Sequence, residues 1–297
     1  MKQDNPLAKT VFPQSGNWRD YLLLLRVDRP IGSLLLLWPT LWALLIASDG
    51  QPSLKNLLIF TLGVFVMRSA GCAINDYADR HFDGHVKRTR HRPLADGRLS
   101  EANALFVFGL LLAIGLVLVL FTNLLTIAMA AVAAALASLY PFAKRHTHLA
   151  QIVLGAAYSW SIPMAFSAET NSLPPNLWLI YITNLMWVVV YDTFYAMVDR
   201  EDDLKIGVKS TAVLFGEMDK AFTGLLQGLT IVGLFMMGGK FELGALYYVG
   251  VVAAAGLFAY QQWLIRNRDR DACFTAFLNN QWVGFVVFIG LAMDFLL

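Results

Sequence analysis

Charge is scarce in this chain: 15% of its 297 residues are Asp, Glu, Lys or Arg, against 57% hydrophobic. A soluble domain of this length needs about a quarter of its residues charged, so the scarcity excludes one and points to a polytopic membrane protein. Cysteine is nearly absent as well. Cys72 and Cys273 lie far apart in apolar surroundings, so neither a disulfide framework nor a cysteine metal site is expected, and both read as small core residues. The chain has no low-complexity linker, so a single domain is expected over 1–297. A formal net charge of +2 gives no support to nucleic-acid binding. The N-terminal residues contain no short apolar segment with a small-residue cleavage pattern, so a cleaved signal peptide is not expected. About 1–20 reads as a cytoplasmic segment before a retained first membrane helix.

What the chain has in abundance is apolar runs long enough to cross a bilayer core of about 30 Å. Nine are counted, near 24–48, 55–75, 102–121, 124–142, 149–168, 177–198, 220–239, 243–264 and 275–296, and they predict an all-α fold of nine transmembrane helices. The connections alternate in charge. Lys2, Lys9 and Arg19 precede the first run, six basic residues from Arg80 to Arg98 follow the second, and Lys144 with Arg145 follow the fourth. Arg200, Lys205 and Lys209 follow the sixth run and Arg266, Arg268 and Arg270 the eighth, whereas the other connections hold only Lys55 and Lys240. By the positive-inside rule the N-terminus is cytoplasmic and the C-terminus lies on the opposite side.

Two acidic clusters interrupt this apolar background, Asn75 to Asp83 and Asp199 to Asp203, both at cytoplasmic ends of runs. Carboxylates are costly at a membrane, which turns attention to function. On a helix, residues four apart share a face, so Asn75, Asp79 and Asp83 are expected on one stripe, with Asp76 beside them and Arg68 on the same stripe. Asp192, Tyr195, Asp199 and Asp203 form a second stripe at spacings of three, four and four. Two such faces approach only with cations between them. Mg2+ fits best, because it uses one or two carboxylates, keeps waters and takes phosphate oxygens; a diphosphate is the natural guest. Either cluster alone would read as a solvated helix end. Their common side, common spacing and trailing basic residues favour a built site. His81, His85 and His91 do not form a clean pair on one helical face, and oxygen-rich surroundings argue against a transition metal.

The same residues carry a resemblance. Asn75 to Asp83 resembles the NDxxDxxxD signature, and Asp199 to Asp203 the DxxxD signature, of the UbiA superfamily of intramembrane aromatic prenyltransferases. Tyr140 to Lys144 matches its YxxxK element. The words around Asp83–Thr89, Tyr191–Arg200 and Ile206–Ser210 are similar to the branch that prenylates 4-hydroxybenzoate in ubiquinone biosynthesis. The likeness covers nearly the whole chain. It implies a multi-pass protein of the bacterial inner membrane, with helices around a central cavity and a cytoplasmic-side active site. It also implies transfer of a chain from polyprenyl diphosphate to the ring carbon ortho to the acceptor's hydroxyl, with Mg2+ held by Asp79, Asp83, Asp199 and Asp203 and Asn75 positioning the metal or a phosphate oxygen.

A benzoate acceptor needs a cation for its carboxylate; Arg145 is the first choice, with Arg29 and Arg68 as alternatives. Lys144 is assigned to diphosphate. Tyr140 either orients it or belongs to the interfacial belt, and Arg80 either binds substrate or is salt-bridged to neighbours. Lys87, Asp192, Tyr195 and Lys209 complete the candidate substrate contacts, with membrane lipid as the surrounding partner. Two other readings compete: a sister enzyme with a different aromatic acceptor, and a cation-coupled transporter. The transporter predicts charges at mid-membrane, whereas these acids stand at the ends of spans.

Overall fold

The computed structural model describes residues 17–80, 83–85 and 89–297, apart from the side chains of His85, Pro141, Phe142, Lys144, Arg145 and Ile206. Lys87, His81 and most of the expected N-terminal segment therefore lie outside the described residues, as do the side chains of Lys144 and Arg145. Among the described residues all regular structure is helical. In order the α-helices are α1 (Trp18–Leu24), α2 (Ile31–Ala47), α3 (Leu54–Asp79), α4 (Glu101–Leu120), α5 (Leu124–His146) and α6 (Ala150–Ser159). They continue with α7 (Ser161–Thr170), α8 (Leu177–Ile206), α9 (Thr211–Phe215), α10 (Asp219–Lys240), α11 (Ala245–Leu264) and α12 (Arg270–Leu296). Among the described residues six segments are long and apolar enough to cross a membrane: Leu54–Asp79, Glu101–Leu120, Leu177–Lys205, Thr211–Lys240, Ala245–Asn267 and Arg270–Leu296. Ile31–Ala47 and Leu124–Tyr140 are shorter apolar helices. The protein is a multi-pass membrane protein.

Two of the expected runs are corrected. The first, near 24–48, is split: α1 stops at Leu24, Arg26 turns to positive φ (57°), and α2 begins only after Pro30. An arginine in the left-handed region and a proline that biases its predecessor away from helix account for the break. The run near 149–168 is also two helices, meeting at Trp160. Pro163 has no N–H to give the Ser159 carbonyl, and its ring crowds that carbonyl, so the α-helical ladder cannot pass through unbroken.

The described residues form two compact units, one within Met1–Pro30 and Val66–Leu116, the other within Ile31–Phe65 and Val117–Leu297. In the first, Leu24, Ala73, Leu94, Leu99 and Ala104 make a small buried core. In the second, α8 is central: it packs on α6, α10 and α12, and 61% of its apolar window is buried, the largest share among the six spans. Close backbone approach joins α11 to α12. A Cβ added to Gly250 would stand 2.7 Å from the Val286 carbonyl oxygen, and one on Gly290 would stand 2.9 Å from that of Leu246. Small residues that allow such approach substitute for the hydrophobic driving force that lipid removes.

Candidate functional site

The first acidic cluster lies in the first unit. Helix α3 carries Asn75, Asp76 and Asp79 in its last turns and ends at Asp79; Asp83 opens a separate 3-10 turn, Asp83–His85. The expected continuous stripe therefore stops at Asp79, four residues before its last carboxylate. Ion pairs crowd this end of α3. Asp76, 1% exposed, accepts from Arg26 Nη2 at 2.7 and 2.9 Å and lies 3.0 Å from Arg92 Nη1. The same Arg92 Nη1 donates to Asp83 Oδ2 at 2.8 Å. Thr89 Oγ1 donates to the Asp83 carbonyl at 2.9 Å. Burial raises the Asp83 carboxyl above its ordinary value; Arg92 opposes that shift, and the charges of Asp79 and Asp76 add to it.

The expected basic contacts of this unit are placed as follows. Arg80 has its Nε 2.9 Å from Glu101 Oε1, donates through Nη1 to the Tyr77 carbonyl at 2.7 Å and stacks its guanidinium 4.3 Å from the Tyr77 ring centroid. Arg68 Nη1 donates to Cys72 Sγ at 2.6 Å, one turn along α3. Arg29 is 67% exposed and lies 3.5 Å from Asp28.

The second cluster lies in the second unit, and here the helical stripe is continuous, since Asp192, Tyr195, Asp199 and Asp203 all belong to α8. The same register extends inward. Tyr191 and Trp187 precede Tyr195 at steps of four, and the rings form a chain: Trp187 to Tyr191 at 5.6 Å, Tyr191 to Phe277 at 6.3 Å and Phe277 to Tyr195 at 4.7 Å. Trp42 stacks on Trp187 at 5.5 Å and closes the inner end. Edge and tilted geometries at these distances suit the ring quadrupoles. At the outer end Gly207, at φ 72°, caps α8: the Gly207 and Val208 N–H groups both donate to the Asp203 carbonyl. Tyr140 is half-buried on α5, and Lys209 Nζ donates to the His146 carbonyl at 3.3 Å.

Asp79, Asp83, Asp199 and Asp203 are each less than 10% exposed. Among the described residues no three His, Cys, Asp or Glu side chains gather as a metal cage. A pair of carboxylates per unit, all oxygen, fits Mg2+, which takes one or two carboxylates and leaves its other positions to water and phosphate. It does not fit a closed nitrogen and sulfur site. Sequence reasoning missed the arginine partners Arg26, Arg268 and Arg270, and the fully buried Asp219 that Arg268 holds. Asp219 sits just after a membrane-edge turn, and that position was the only signal available.

A model of the UbiA prenyltransferase family matches residues 36–289. The chain is 60% identical over 294 residues to a 4-hydroxybenzoate octaprenyltransferase of Hahella chejuensis, covering 99% of this chain and 98% of that one. It is 58% identical over 289 residues to the protein of the same name from Pseudomonas savastanoi pv. phaseolicola, with 97% and 98% covered. In fold it is similar to the apo structure of a UbiA homolog from Aeropyrum pernix K1, with TM-score 0.79, 24% identity and 91% and 98% covered. It is also similar to a UbiA homolog from Archaeoglobus fulgidus bound to GPP and Mg2+, with TM-score 0.69, 20% identity and 90% and 99% covered.

Proposed function

The chain belongs to the UbiA prenyltransferase family, and from that premise we infer that it is a magnesium-dependent 4-hydroxybenzoate polyprenyltransferase of ubiquinone biosynthesis. The observation that carries the reading is high identity to proteins of that name over nearly the whole of both chains. The family match takes in residues of both compact units, which supports one catalytic domain.

In the reaction the allylic carbon–oxygen bond of polyprenyl diphosphate breaks, diphosphate leaves, and the ring carbon ortho to the phenol hydroxyl bonds to the allylic carbon and loses its proton. Bound Mg2+ supplies the positive charge that lets diphosphate leave. Asp79, Asp83, Asp199 and Asp203 would be its protein ligands. Asn75 positions the diphosphate, and Lys87, Lys144 and Lys209 offset charge as it develops on the leaving group. Arg145 holds the acceptor carboxylate, with Arg29 and Arg68 as its alternatives. Asp192, Tyr195 and Tyr140 line the approach. Arg80 stays with Glu101 and Tyr77 and supports the end of α3. The ring chain from Tyr195 to Trp187 excludes water and presents aromatic faces where an allylic cation needs them. Nine spans, a cytoplasmic N-terminus, an outward C-terminus and a cytoplasmic-side active site in the bacterial inner membrane complete the reading.

The test is reconstitution in lipid nanodiscs with 4-hydroxybenzoate, a polyprenyl diphosphate and Mg2+. Prenylated hydroxybenzoate and inorganic diphosphate are expected in equal amounts, and chelation should stop both. Absence of both products with folded protein would overturn the assignment.

A further inference from the structure

Helix α8 ends on Asp199, Glu201, Asp202 and Asp203, four carboxylates in its last two turns. The unsatisfied carbonyls there already make that end negative, so the placement is unfavourable unless cations hold it. Among the described residues two holds come from one place, the junction of α11 and α12. Arg270, the first residue of α12, donates through Nη2 to Asp202 Oδ2 at 2.9 Å. Arg268, in the left-handed conformation at φ 59°, donates through Nε and lies with Nη2 2.8 Å from Asp219, and its Nη2 donates to the Glu217 carbonyl at 2.6 Å. Asp219 is fully buried at the start of α10, and its Oδ2 lies 3.6 Å from Nη1 of Arg200.

Arg200 and Asp202 bracket the metal-ligand stripe. Each residue advances a helix by about 100°, so Asp199 and Asp203 point within about 40° of one another, Arg200 lies on one flank and Asp202 on the other. A helix gripped on both flanks cannot rotate about its axis without breaking one hold. We propose that Arg268 and Arg270 are positioning residues: through Asp219 and Arg200, and through Asp202, they fix the rotation of the α8 end so that Asp199 and Asp203 are presented together to a divalent cation. The proposal rests on the reading that these two aspartates hold Mg2+.

The experiment measures Mn2+ binding to full-length protein in nanodiscs, by electron paramagnetic resonance of the free ion, together with the Mg2+ concentration giving half-maximal turnover and the thermal unfolding midpoint. Arg270→Asp and Asp202→Arg should each weaken metal binding about tenfold, within the range of coupled neighbours, and the double swap should restore it to within about twofold. Turnover at saturating Mg2+ should stay near wild type in all three. Arg268→Gln should weaken metal binding in the same direction, and Asp219→Asn, which keeps the side-chain shape, should do likewise. Single variants whose metal affinity is unchanged while only the unfolding midpoint falls would overturn the proposal, as would a double swap that restores the midpoint but not the affinity. A wild-type protein that binds no metal and turns over without it would overturn the underlying metal reading, a distinguishable result.

Discussion

At the end of α3 an arginine takes a candidate metal ligand directly, whereas at the end of α8 Arg270 and Arg200, among the described residues, engage or belong to the neighbours of the ligands. Arg92 lies 2.8 Å from Asp83 and 3.0 Å from Asp76, so one guanidinium is shared by two carboxylates of the first cluster. In the second cluster Arg270 takes Asp202, and Arg200 turns toward Asp219. Like charges crowded at a membrane edge must be offset in both places. The first unit does so by interleaving cations with the carboxylates along a turn; the second keeps a regular helix and steadies it from its flanks. A regular helix fixes ligand spacing by itself, while in the first cluster ion pairs add to the hydrogen bonds that hold Asp83.

The comparison can be broken most sharply at Asp76. Asp76→Ala would leave Arg26 and Arg92 partly buried without their shared carboxylate, a loss of about 3–5 kcal/mol that thermal unfolding in detergent should register. If this substitution cost no more than a surface change, the ion-pair account of the first cluster would be wrong. Next come the ligands themselves: Asp79→Ala and Asp199→Ala should each lower turnover by about a hundred- to a thousandfold, the range for losing one group that stabilises developing charge, with membrane insertion unchanged. Wild-type product formation in either would remove that carboxylate from the site.

Smaller effects sharpen the contrast between turn and helix. Gly207 adopts φ 72°, and nothing stands within 4 Å of a Cβ added there, so Gly207→Ala tests the left-handed cap alone. It should cost about 1–2 kcal/mol and raise amide hydrogen exchange in the last turn of α8; unchanged exchange would show that the cap does not hold the acidic end. Smallest is Glu101→Ala. Glu101 is 55% exposed where it meets Arg80, so its removal should cost less than about 1 kcal/mol by the same unfolding assay. A larger loss would make Arg80 part of the first cluster's internal network.

Much of this architecture was legible in the chain. Seven of the nine apolar runs appear as single helices close to their expected places, because a bilayer demands long uninterrupted hydrogen-bonded segments and hydropathy reports them. The two runs that broke carried their cause in plain view at Pro30 and Pro163. The register of Asp192, Tyr195, Asp199 and Asp203 was equally readable, since a helix fixes which residues share a face. Asp83 was misread for the opposite reason: the four-residue spacing from Asp79 looked helical, but the chain leaves the helix between them. Spacing describes a face only while the helix lasts.

The sequence by itself determined an all-helical membrane protein, two carboxylate pairs at the ends of apolar segments and the family to which those motifs point. Those properties are local, set by hydropathy over about twenty residues and by spacings within one turn or two. Tertiary structure alone decided which arginine meets which aspartate: Arg26 reaches Asp76 across 50 residues and Arg270 reaches Asp202 across 68. It also decided that Asp219, an acid with no motif around it, would be fully buried against Arg268. An ion pair depends on distance in space, and in a helical membrane protein that distance is set by how helices far apart in sequence pack, which no spacing along the chain records.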